Sequence, residues 1–546
     1  MSAESTGLPP LEISTEDDPA VVAEAATDDY SLHVVPMSWR LPKVSVLLAF
    51  SSMATAVFWL YLAALVALLV GTREALIGMG LVVILYSAIG HLFYRAASET
   101  GLNITMFSRS MLGFLGSALT PLVAGATGIY YFVFEASIVA VGAKAFFDRQ
   151  GVGIDLDVWY LIVVLISVPL VIKGVHVWLD RLNGWLLPLY LGGLIAVLIW
   201  TTSNAGGYSG DWGSFAPAEL LVQGPGWLFA FSTYMSVFVL FMYQMGYARL
   251  GRPKDVRFAS LVTFGPVFYL VTFVVNAIIG IYLVNILHLE NLAEGELATS
   301  IVGVTGLVGL LWLVVTQSRI NTANLYLAST GLQSFAARIL RLNISRPIWV
   351  VIAGAIGYLI MLTNVFSFIL DALTYQGIAI VAWVGMAIVQ ILFLLWQRGS
   401  LSSLEYRPGR LPAVNPAGLG IWIAATALGV ILKNVEEAFF GTWGLPLVLV
   451  VSVVLYALAL AVAPRRWFGF ARPYDPAQEV DDSWEERVRC HVCERSYVAR
   501  EMDRDPSAGH LAICASCAEG IGFLKAAAHE AHQVPSEPRV RAKEPV

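Results

Sequence analysis

The sequence predicts an all-α polytopic membrane protein with twelve transmembrane helices: a five-plus-five inverted repeat, two extra helices and a small cytosolic zinc-knuckle tail. Composition, the spacing of apolar runs and a terminal cysteine cluster carry this prediction. Of the 546 residues, 58% are hydrophobic and 13% are charged, and the mean hydropathy is +0.72. No soluble domain keeps that balance over such a length. We find no nucleophile–base pair or phosphate-binding loop, so neither an enzyme nor a nucleic-acid partner is expected.

The chain divides into six regions. Residues 1–43 are rich in Glu, Asp, Ala and Ser without a signal-peptide pattern, which predicts a disordered cytosolic tail. The remaining regions are the first transmembrane repeat (44–201), an extracytoplasmic loop (202–225), the second repeat (226–395), two accessory helices (396–463) and a cytosolic tail (464–546). The predicted spans, numbered one to twelve, lie near 44–70, 75–94, 117–141, 157–174, 184–201, 226–246, 259–284, 301–325, 348–363, 365–395, 418–434 and 444–463.

Basic residues set the predicted orientation. One set of alternate loops carries many Lys and Arg residues, among them Arg249, Arg252, Lys254 and Arg257. The other set carries only Arg73, Lys144, Arg149 and Lys433. By the positive-inside rule the first set is cytoplasmic. We therefore expect a multi-pass protein of the cell membrane, surrounded by lipid, with both termini in the cytoplasm, as an even number of spans requires.

The first span of each half carries a small polar cluster in an otherwise bulky apolar run. An odd number of spans in each half makes the halves inverted, and such repeats bind solutes where helices are interrupted. The clusters are predicted to be helix breaks that line a substrate site, although hydroxyls bonded to their own helices explain them equally well. The candidate residues are Ser51, Ser52 and Met53 in residues 51–55, and Ser232, Thr233 and Ser236 in residues 232–236.

Span eight is predicted to be one helix within residues 301–335, and its middle is polar on two faces. Gln317, Asn321 and Asn324 lie on one face at helical spacing, and Arg319 lies on the opposite face. Such a helix is unsuited to lipid contact and belongs at the centre of a bundle. We interpret it as a wall of the substrate pathway. The alternative is an arginine that extends to the cytoplasmic interface and amides that join helices.

Span three carries a second intramembrane charge. Glu135 follows Tyr130 and Tyr131 in an apolar run. A carboxylate there needs a partner or a proton, and span eight is the repeat-related span that carries Arg319. We therefore predict that Glu135 and Arg319 form a buried ion pair. The alternatives are that the pair only locks two scaffold helices, or that the carboxylate binds protons or substrate.

The chain resembles the purine–cytosine permeases, which are nucleobase:cation symporters with a five-plus-five inverted-repeat fold. The resemblance covers roughly residues 41–463 and depends on residues 100–116, on Tyr247-Ala-Arg249 and on the Asn321-Thr-Ala-Asn-Leu-Tyr-Leu-Ala-Ser329 segment. It implies uptake of a flat polar heterocycle that stacks on aromatic residues of spans three and six. Asn321 or Asn324 would match the family's substrate-binding amide, and Tyr130 or Tyr131 falls where the family often has Trp.

Two departures from the family pattern bear on coupling. Where sodium-coupled members have a hydroxyl pair, this chain has Ser318-Arg319, and Gly246 replaces an acidic residue near the end of span six. The coupling ion, Na⁺ or H⁺, is therefore open. We expect a secondary transporter for a nucleobase-like or related heterocyclic solute. The alternative is a transporter-like sensor or scaffold that binds such a solute and signals through its tail.

The four cysteines of the chain lie in the C-terminal tail. Cys490 and Cys493 form one C-x-x-C motif, and Cys514 and Cys517 form a second after a twenty-residue spacer. Two such motifs at this distance predict a closed, structural zinc site with four thiolate ligands. Because a permease needs no such module, the tail also suggests regulation or a cytosolic protein partner.

Overall fold

The protein is described from a computed structural model covering residues 7–173, 179–204, 208, 210–217, 222–289, 295–342, 344–363 and 369–533. Among these residues, each predicted span contains a helix or a pair of helices. In order, they are Lys43–Phe50 with Val57–Val70, Thr72–Thr100, Leu119–Arg149, Leu156–Ser167, Asp180–Asn204, Gly226–Met235 with Val239–Ala248, Pro253–Ile286, Leu307–Phe335, Arg346–Met361, Ile369–Arg398, Pro416–Val435 and Glu437–Val462.

Within these ranges, seven helices are long and apolar enough to cross a membrane, and two bent pairs bring the number to nine. The protein is therefore an integral membrane protein. The helix of span eight has 29 residues but is not among the nine, because its polar residues lower its hydropathy. The helices of spans four and nine are apolar but shorter.

Two spans are broken, and these are the first spans of the two predicted halves. Residues Ser51–Thr55 form a 3₁₀ turn, Ala56 is extended, and the flanking helices meet at a bend of 44°. Helices Gly226–Met235 and Val239–Ala248 also meet at 44°. The first predicted break is confirmed. The second lies after Met235, because Ser232 and Thr233 remain helical and only Ser236 reaches the break.

The prediction of one continuous helix over 301–335 is wrong. A separate helix, Glu296–Thr305, ends at Gly306, whose φ of 59° lies in the left-handed region. Helix Leu307–Phe335 then continues about ten residues beyond the predicted end of span eight. Gln317, Arg319, Asn321 and Asn324 consequently lie near its middle, and all four are buried.

Spans three and eight are packed backbone to backbone at the centre of the bundle. A Cβ atom added at Gly128 would lie 2.7 Å from the backbone nitrogen of Ala328, and one added at Gly331 would lie 2.6 Å from the carbonyl oxygen of Pro121. Larger residues at these glycines would separate the helices. This close approach allows Glu135 of span three to reach the polar face of span eight.

Residues 7–43 form defined structure, in contrast to the predicted disorder. Helix Pro19–Asp28 begins at Asp18, which accepts a hydrogen bond from the Ala20 N–H, and strand β1 (Ile13–Ser14) pairs with strand β2 (Arg487–Arg489). Tyr30 and Val35 are buried. A polar composition predicted no core, but these residues pack against the membrane helices and the C-terminal tail.

Residues 487–533 form a small fold that we name the C-terminal module. Strand β2 pairs with both β1 and β3 (Ser496–Val498), and β4 (Asp503–Asp505) pairs with β5 (Leu511–Ile513). Helix Ile521–Gln533 follows. Ion pairs join the module to the side of the bundle that is predicted to be cytoplasmic: Arg109 binds Glu519 at 2.7 Å, and Arg410 binds Asp503 at 3.1 Å.

Candidate functional site

The break in span one frees backbone carbonyl groups that side chains from other positions satisfy. Trp59 Nε1 donates to the Met53 carbonyl at 2.6 Å, Asn276 Nδ2 donates to the Ala54 carbonyl at 2.8 Å, and the Thr316 hydroxyl donates to the Thr55 carbonyl. These bonds compensate for the lost helical pairing, which would otherwise be costly away from water. The interruption is therefore stabilised by specific side-chain hydrogen bonds and belongs to the fold.

Side chains also bond to carbonyl groups at the break in span six, where the Tyr86 hydroxyl donates to the Tyr234 carbonyl at 2.7 Å. Gln376 Nε2 of span ten donates to the Ser236 carbonyl at 3.2 Å, and Gln376 Oε1 accepts from the Thr127 hydroxyl of span three at 3.3 Å. Gln376 therefore links spans three, six and ten. Gln376 is not among the predicted site residues, although an amide in an apolar run is a signal that the sequence contains.

Most predicted hydroxyls of the breaks bond to their own helices. Ser52 donates to Ala49, Thr233 to Phe229 and Ser236 to Thr233, at 2.6–2.9 Å. Ser51 also donates to its own helix, at the Leu48 carbonyl. The clusters thus mark the positions of the breaks, but these hydroxyl groups already donate to carbonyl groups of their own helices. Ser232 is buried.

Glu135 lies between the break in span one and the polar face of span eight. Its Oε2 atom accepts a hydrogen bond from Gln317 Nε2 at 2.5 Å, and the backbone N–H of Phe58 also bonds to its carboxylate. Phe58 is in the first turn of helix Val57–Val70, where free N–H groups and the helix dipole favour a negative charge. Glu135 is only 1% exposed.

Arg319 points away from Glu135. It donates to Ser51 Oγ at 3.0 Å, to Thr55 Oγ1 at 3.3 Å and to the carbonyl of Asn183 in span five. The acceptors of these three hydrogen bonds are all neutral. Ser51 directly follows the C-terminal end of helix Lys43–Phe50, where the helix dipole favours a positive charge.

The predicted ion pair between Glu135 and Arg319 is therefore wrong. Gln317 and Arg319 are two residues apart on one helix, so their side chains leave it on different faces. The carboxylate meets the N-terminal end of one half of span one, and the guanidinium meets the C-terminal end of the other half. The interrupted helix thus stabilises both charges without direct contact between them.

Aromatic side chains and amides surround this centre. The Phe58 ring contacts the rings of Tyr131 and Phe134, each with centroids 5.5 Å apart. The Tyr130 ring contacts that of Tyr131 at 5.0 Å. On span eight, Asn324 Nδ2 donates to Asn321 Oδ1 at 3.3 Å. The structure therefore brings the predicted residues of spans three and eight together and adds Phe58, which the sequence analysis missed.

A cavity that we name the inner cavity lies on the side of this centre that is predicted to be cytoplasmic. Tyr243 stands between the two, because its hydroxyl donates to Asn324 Oδ1 at 2.8 Å and its ring also lines the cavity. Spans three, six and eight and the segment before span three supply the walls. The polar lining includes Asn103, Thr105, Tyr247, Arg249, Tyr326 and Ser334.

The C-terminal module brings its four cysteines into one cluster. The Sγ atoms of Cys490, Cys493, Cys514 and Cys517 all lie within 4.8 Å of one another. Cys493 Sγ and Cys514 Sγ are 4.0 Å apart, close to the ~3.8 Å that four sulfurs at about 2.3 Å around one tetrahedral ion would have. The backbone N–H of Cys514 also donates to Cys490 Sγ at 3.3 Å. These residues could hold one metal ion.

Comparison with known proteins gives likeness in structure only. No protein-family profile matches the chain, and no curated protein sequence is similar to it. Mhp1, a nucleobase-cation-symport-1 family transporter, in a closed conformation with bromovinylhydantoin bound, superposes with a TM-score of 0.61 at 16% identity, over 78% of this chain and 93% of that one. The inward-facing conformation of Mhp1 gives 0.62 at 15% identity, over 78% and 92%. The expected likeness is confirmed: this chain has the fold of a nucleobase-cation-symport-1 transporter.

Proposed function

We propose that this protein is a secondary active transporter for a nucleobase-like or related small heterocyclic solute, working by alternating access. The observation that carries the proposal is the pair of broken spans, both bent by 44°, beside the polar faces of spans three and eight. Interrupted helices at matching positions of two halves are typical of inverted-repeat transporters. The fold of Mhp1, described with bromovinylhydantoin bound, supports a flat heterocyclic solute.

The proposed solute site lies between the two breaks. Gln317 Oε1 has no hydrogen-bond partner among the described residues, so it is available to accept an N–H group of the solute. Asn321 and Asn324 supply further amide groups, and Phe58, Tyr130 and Tyr131 supply ring faces. Met53, Glu135, Ser232 and Ser236 complete the proposed wall. This combination suits a planar ring with both donors and acceptors.

The proposed coupling differs from sodium symport. Arg319 places a fixed positive charge between the break in span one and spans five and eight, with hydroxyl and carbonyl oxygens as its partners. Oxygen atoms of this kind are also what a bound Na⁺ requires. We infer that the guanidinium takes the place of that ion, so transport is independent of sodium and is coupled to protons or proceeds by exchange.

The proposed topology has twelve spans with both termini in the cytoplasm. The basic loops support it. So do the helices of spans four, eight and nine, which are present but are too short or too polar to be identified as spans by length and hydropathy alone. The C-terminal module is then cytosolic. Its four thiolates would hold a structural zinc ion, and the ion would supply much of the folding free energy of so small a unit.

Reconstituted protein can test the transporter proposal. Purines, pyrimidines, hydantoins and vitamins are first screened by thermal shift, and a radiolabelled hit is then supplied to proteoliposomes. We expect saturable uptake that is unchanged when sodium replaces potassium outside. The variant Asn321→Leu should lose uptake while it keeps its thermal stability. Sodium-stimulated uptake by the unaltered protein would contradict the proposed role of Arg319.

A sensor or scaffold is the second candidate, and the extensive contact between the C-terminal module and the inner side of the bundle favours it. The same reconstitution separates the two functions. A solute that raises the melting temperature but neither accumulates nor exchanges across the bilayer would support the sensor. Uptake against a solute gradient would exclude it as the main function.

A further inference from the structure

Residues 27–35, which we name the inner strap, are bonded to residues that line the inner cavity. Two residues of the cavity lining bind the strap's backbone: Arg249 Nη1 donates to the Tyr30 carbonyl at 2.9 Å, and Asn103 Nδ2 donates to the Ser31 carbonyl at 2.6 Å. The Ser31 hydroxyl donates to Gln333 Oε1 of span eight at 2.9 Å. Tyr30 and Ser31 are both buried, so the strap packs closely against the residues that line the cavity.

The strap also joins helices that belong to different parts of the bundle. At one end, Arg346 of span nine donates to the Thr27 carbonyl at 2.7 Å and to the Val171 carbonyl beside span four at 3.0 Å. At the other end, the Val35 N–H donates to the Gly101 carbonyl at 3.3 Å. Spans six, eight and nine and the segment before span three therefore share one connecting segment. Separation of these elements on the inner side requires the strap to leave.

The C-terminal module holds the strap from the opposite side. Both oxygens of Glu501 are used: Oε1 lies 2.7 Å from His33 Nδ1, and Oε2 accepts from the Val34 N–H at 2.8 Å. The His33 ring stacks on Tyr497 with centroids 4.1 Å apart. Glu501 is fully buried, so the strap covers an acceptor that would otherwise lack partners.

The turn at the centre of the strap depends on these contacts. Asp29 and Tyr30 have φ angles of 51° and 57°, in the left-handed region that non-glycine residues seldom adopt. Two such residues in succession persist only where surrounding bonds fix them. Loss of the contacts from the module therefore favours release of the whole turn.

We propose that the inner strap is an autoinhibitory latch, which closes the inner cavity and is held in place by the C-terminal module. The proposal rests on the proposed function in one respect: the inner cavity is taken as the route between the solute site and the cytoplasm. The four cysteines lie together in the C-terminal module, and β1 and Glu501 connect the module to the N-terminal region and the strap. Signals that loosen the module would then open the inner side of the transporter.

Accessibility of the inner cavity tests this latch without any solute. Ser334 lines the cavity and is replaced by Ser334→Cys in the full chain, which is then treated with a water-soluble maleimide. Modification at position 334 is followed by peptide mass spectrometry, so that reaction at the four native cysteines is counted separately. We expect labelling to be about tenfold faster when Glu501→Gln or His33→Phe is added, because each change removes a charged hydrogen bond.

Glu530→Gln is the matched control. Its carboxylate binds Arg472 at 2.8 Å within the region of the module but does not bond to the strap, so labelling should be unchanged. His33→Phe keeps a ring for Tyr497 and leaves Glu501 in place, which guards against unfolding of the module by Glu501→Gln. Equal labelling rates in Ser334→Cys alone and in Ser334→Cys combined with Glu501→Gln or with His33→Phe would overturn the latch. Since no transport is measured, the latch and the transporter proposal can fail separately.

Discussion

Gln317 Nε2 donates a 2.5 Å hydrogen bond to Glu135 Oε2, and this contact places the buried carboxylate of span three on the amide face of span eight. Arg319, two residues further along the same helix, binds the opposite side of the break in span one. The two charges therefore belong to separate networks.

Double-mutant cycles should find coupling between Glu135 and Gln317 and none between Glu135 and Arg319. Glu135→Gln, Gln317→Leu and Arg319→Met are combined in pairs, and unfolding is followed in detergent. We expect an interaction free energy of about 1.5–3 kcal/mol for the first pair, the range for a hydrogen bond to a charged group. A larger coupling energy for the Glu135 and Arg319 pair would contradict the assigned networks.

Removal of the Arg319 guanidinium should destabilise the break in span one. Arg319→Met leaves Ser51, Thr55 and the Asn183 carbonyl without a donor, at about 1 kcal/mol or more for each buried acceptor. The melting temperature should fall by several degrees. Arg181→Met is the control, because Arg181 is exposed. Equal melting temperatures for the two variants would show that the guanidinium is not a structural link.

Close packing of spans three and eight gives a third prediction. Gly128→Ala places a methyl group 2.7 Å from a backbone nitrogen of span eight, so the helices must move apart and the melting temperature should fall. Gly80→Ala has open space around its added methyl group and should be neutral or gain up to about 1 kcal/mol from helix propensity. A stable Gly128→Ala variant would mean that the two helices are less closely packed than described.

Zinc removal should loosen the N-terminal region as well as the C-terminal module. The whole protein should contain one zinc ion per chain, and Cys514→Ser should abolish it. Because β1 pairs with β2, hydrogen exchange of residues 13–35 should then accelerate along with that of residues 487–513. Unchanged exchange at residues 13–35 in a zinc-free chain would show that the N-terminal region does not depend on the module.

Attachment of the inner strap should weaken as the pH rises. Burial opposes the charged form of His33, but the Glu501 carboxylate outweighs it and raises the pKa of His33 above its ordinary 6.5. Burial and the neighbouring Glu24 raise the pKa of Asp28 to about 6. The His33 contribution is complete below pH 6.5 and is lost as the pH passes its raised pKa, while ionisation of buried Asp28 costs stability between pH 3.8 and about 6.

Both groups therefore act in the same direction. Hydrogen exchange of residues 27–35, corrected for the intrinsic effect of pH, should be slowest in mildly acidic buffer and faster in alkaline buffer. His33→Phe should remove the alkaline part of the change. Protection that rises with pH in the unaltered protein would show that another group controls the strap.

The sequence by itself determined the class of fold, the places of the spans and the cysteine cluster. A run of apolar residues predicts a span because burial in lipid depends on local composition. Two C-x-x-C motifs predict a cluster because the four thiolates of one metal site must meet at the same point. The small polar residues around Ser51 and Ser236 located the two breaks for a similar local reason. A group of small polar residues is recognisable in a helix that otherwise consists of bulky apolar residues.

Only the tertiary structure decided which groups contact Glu135, Arg319 and the N-terminal region. Glu135 and Arg319 were assigned to each other because they were the evident opposite charges, yet two helix ends and neutral groups stabilise each one separately. The N-terminal region was polar enough to predict disorder, yet Arg249, Arg346 and Glu501, all distant in sequence, order it. Contacts between residues hundreds of positions apart leave no local pattern in the chain, so they become visible only when the helices are packed.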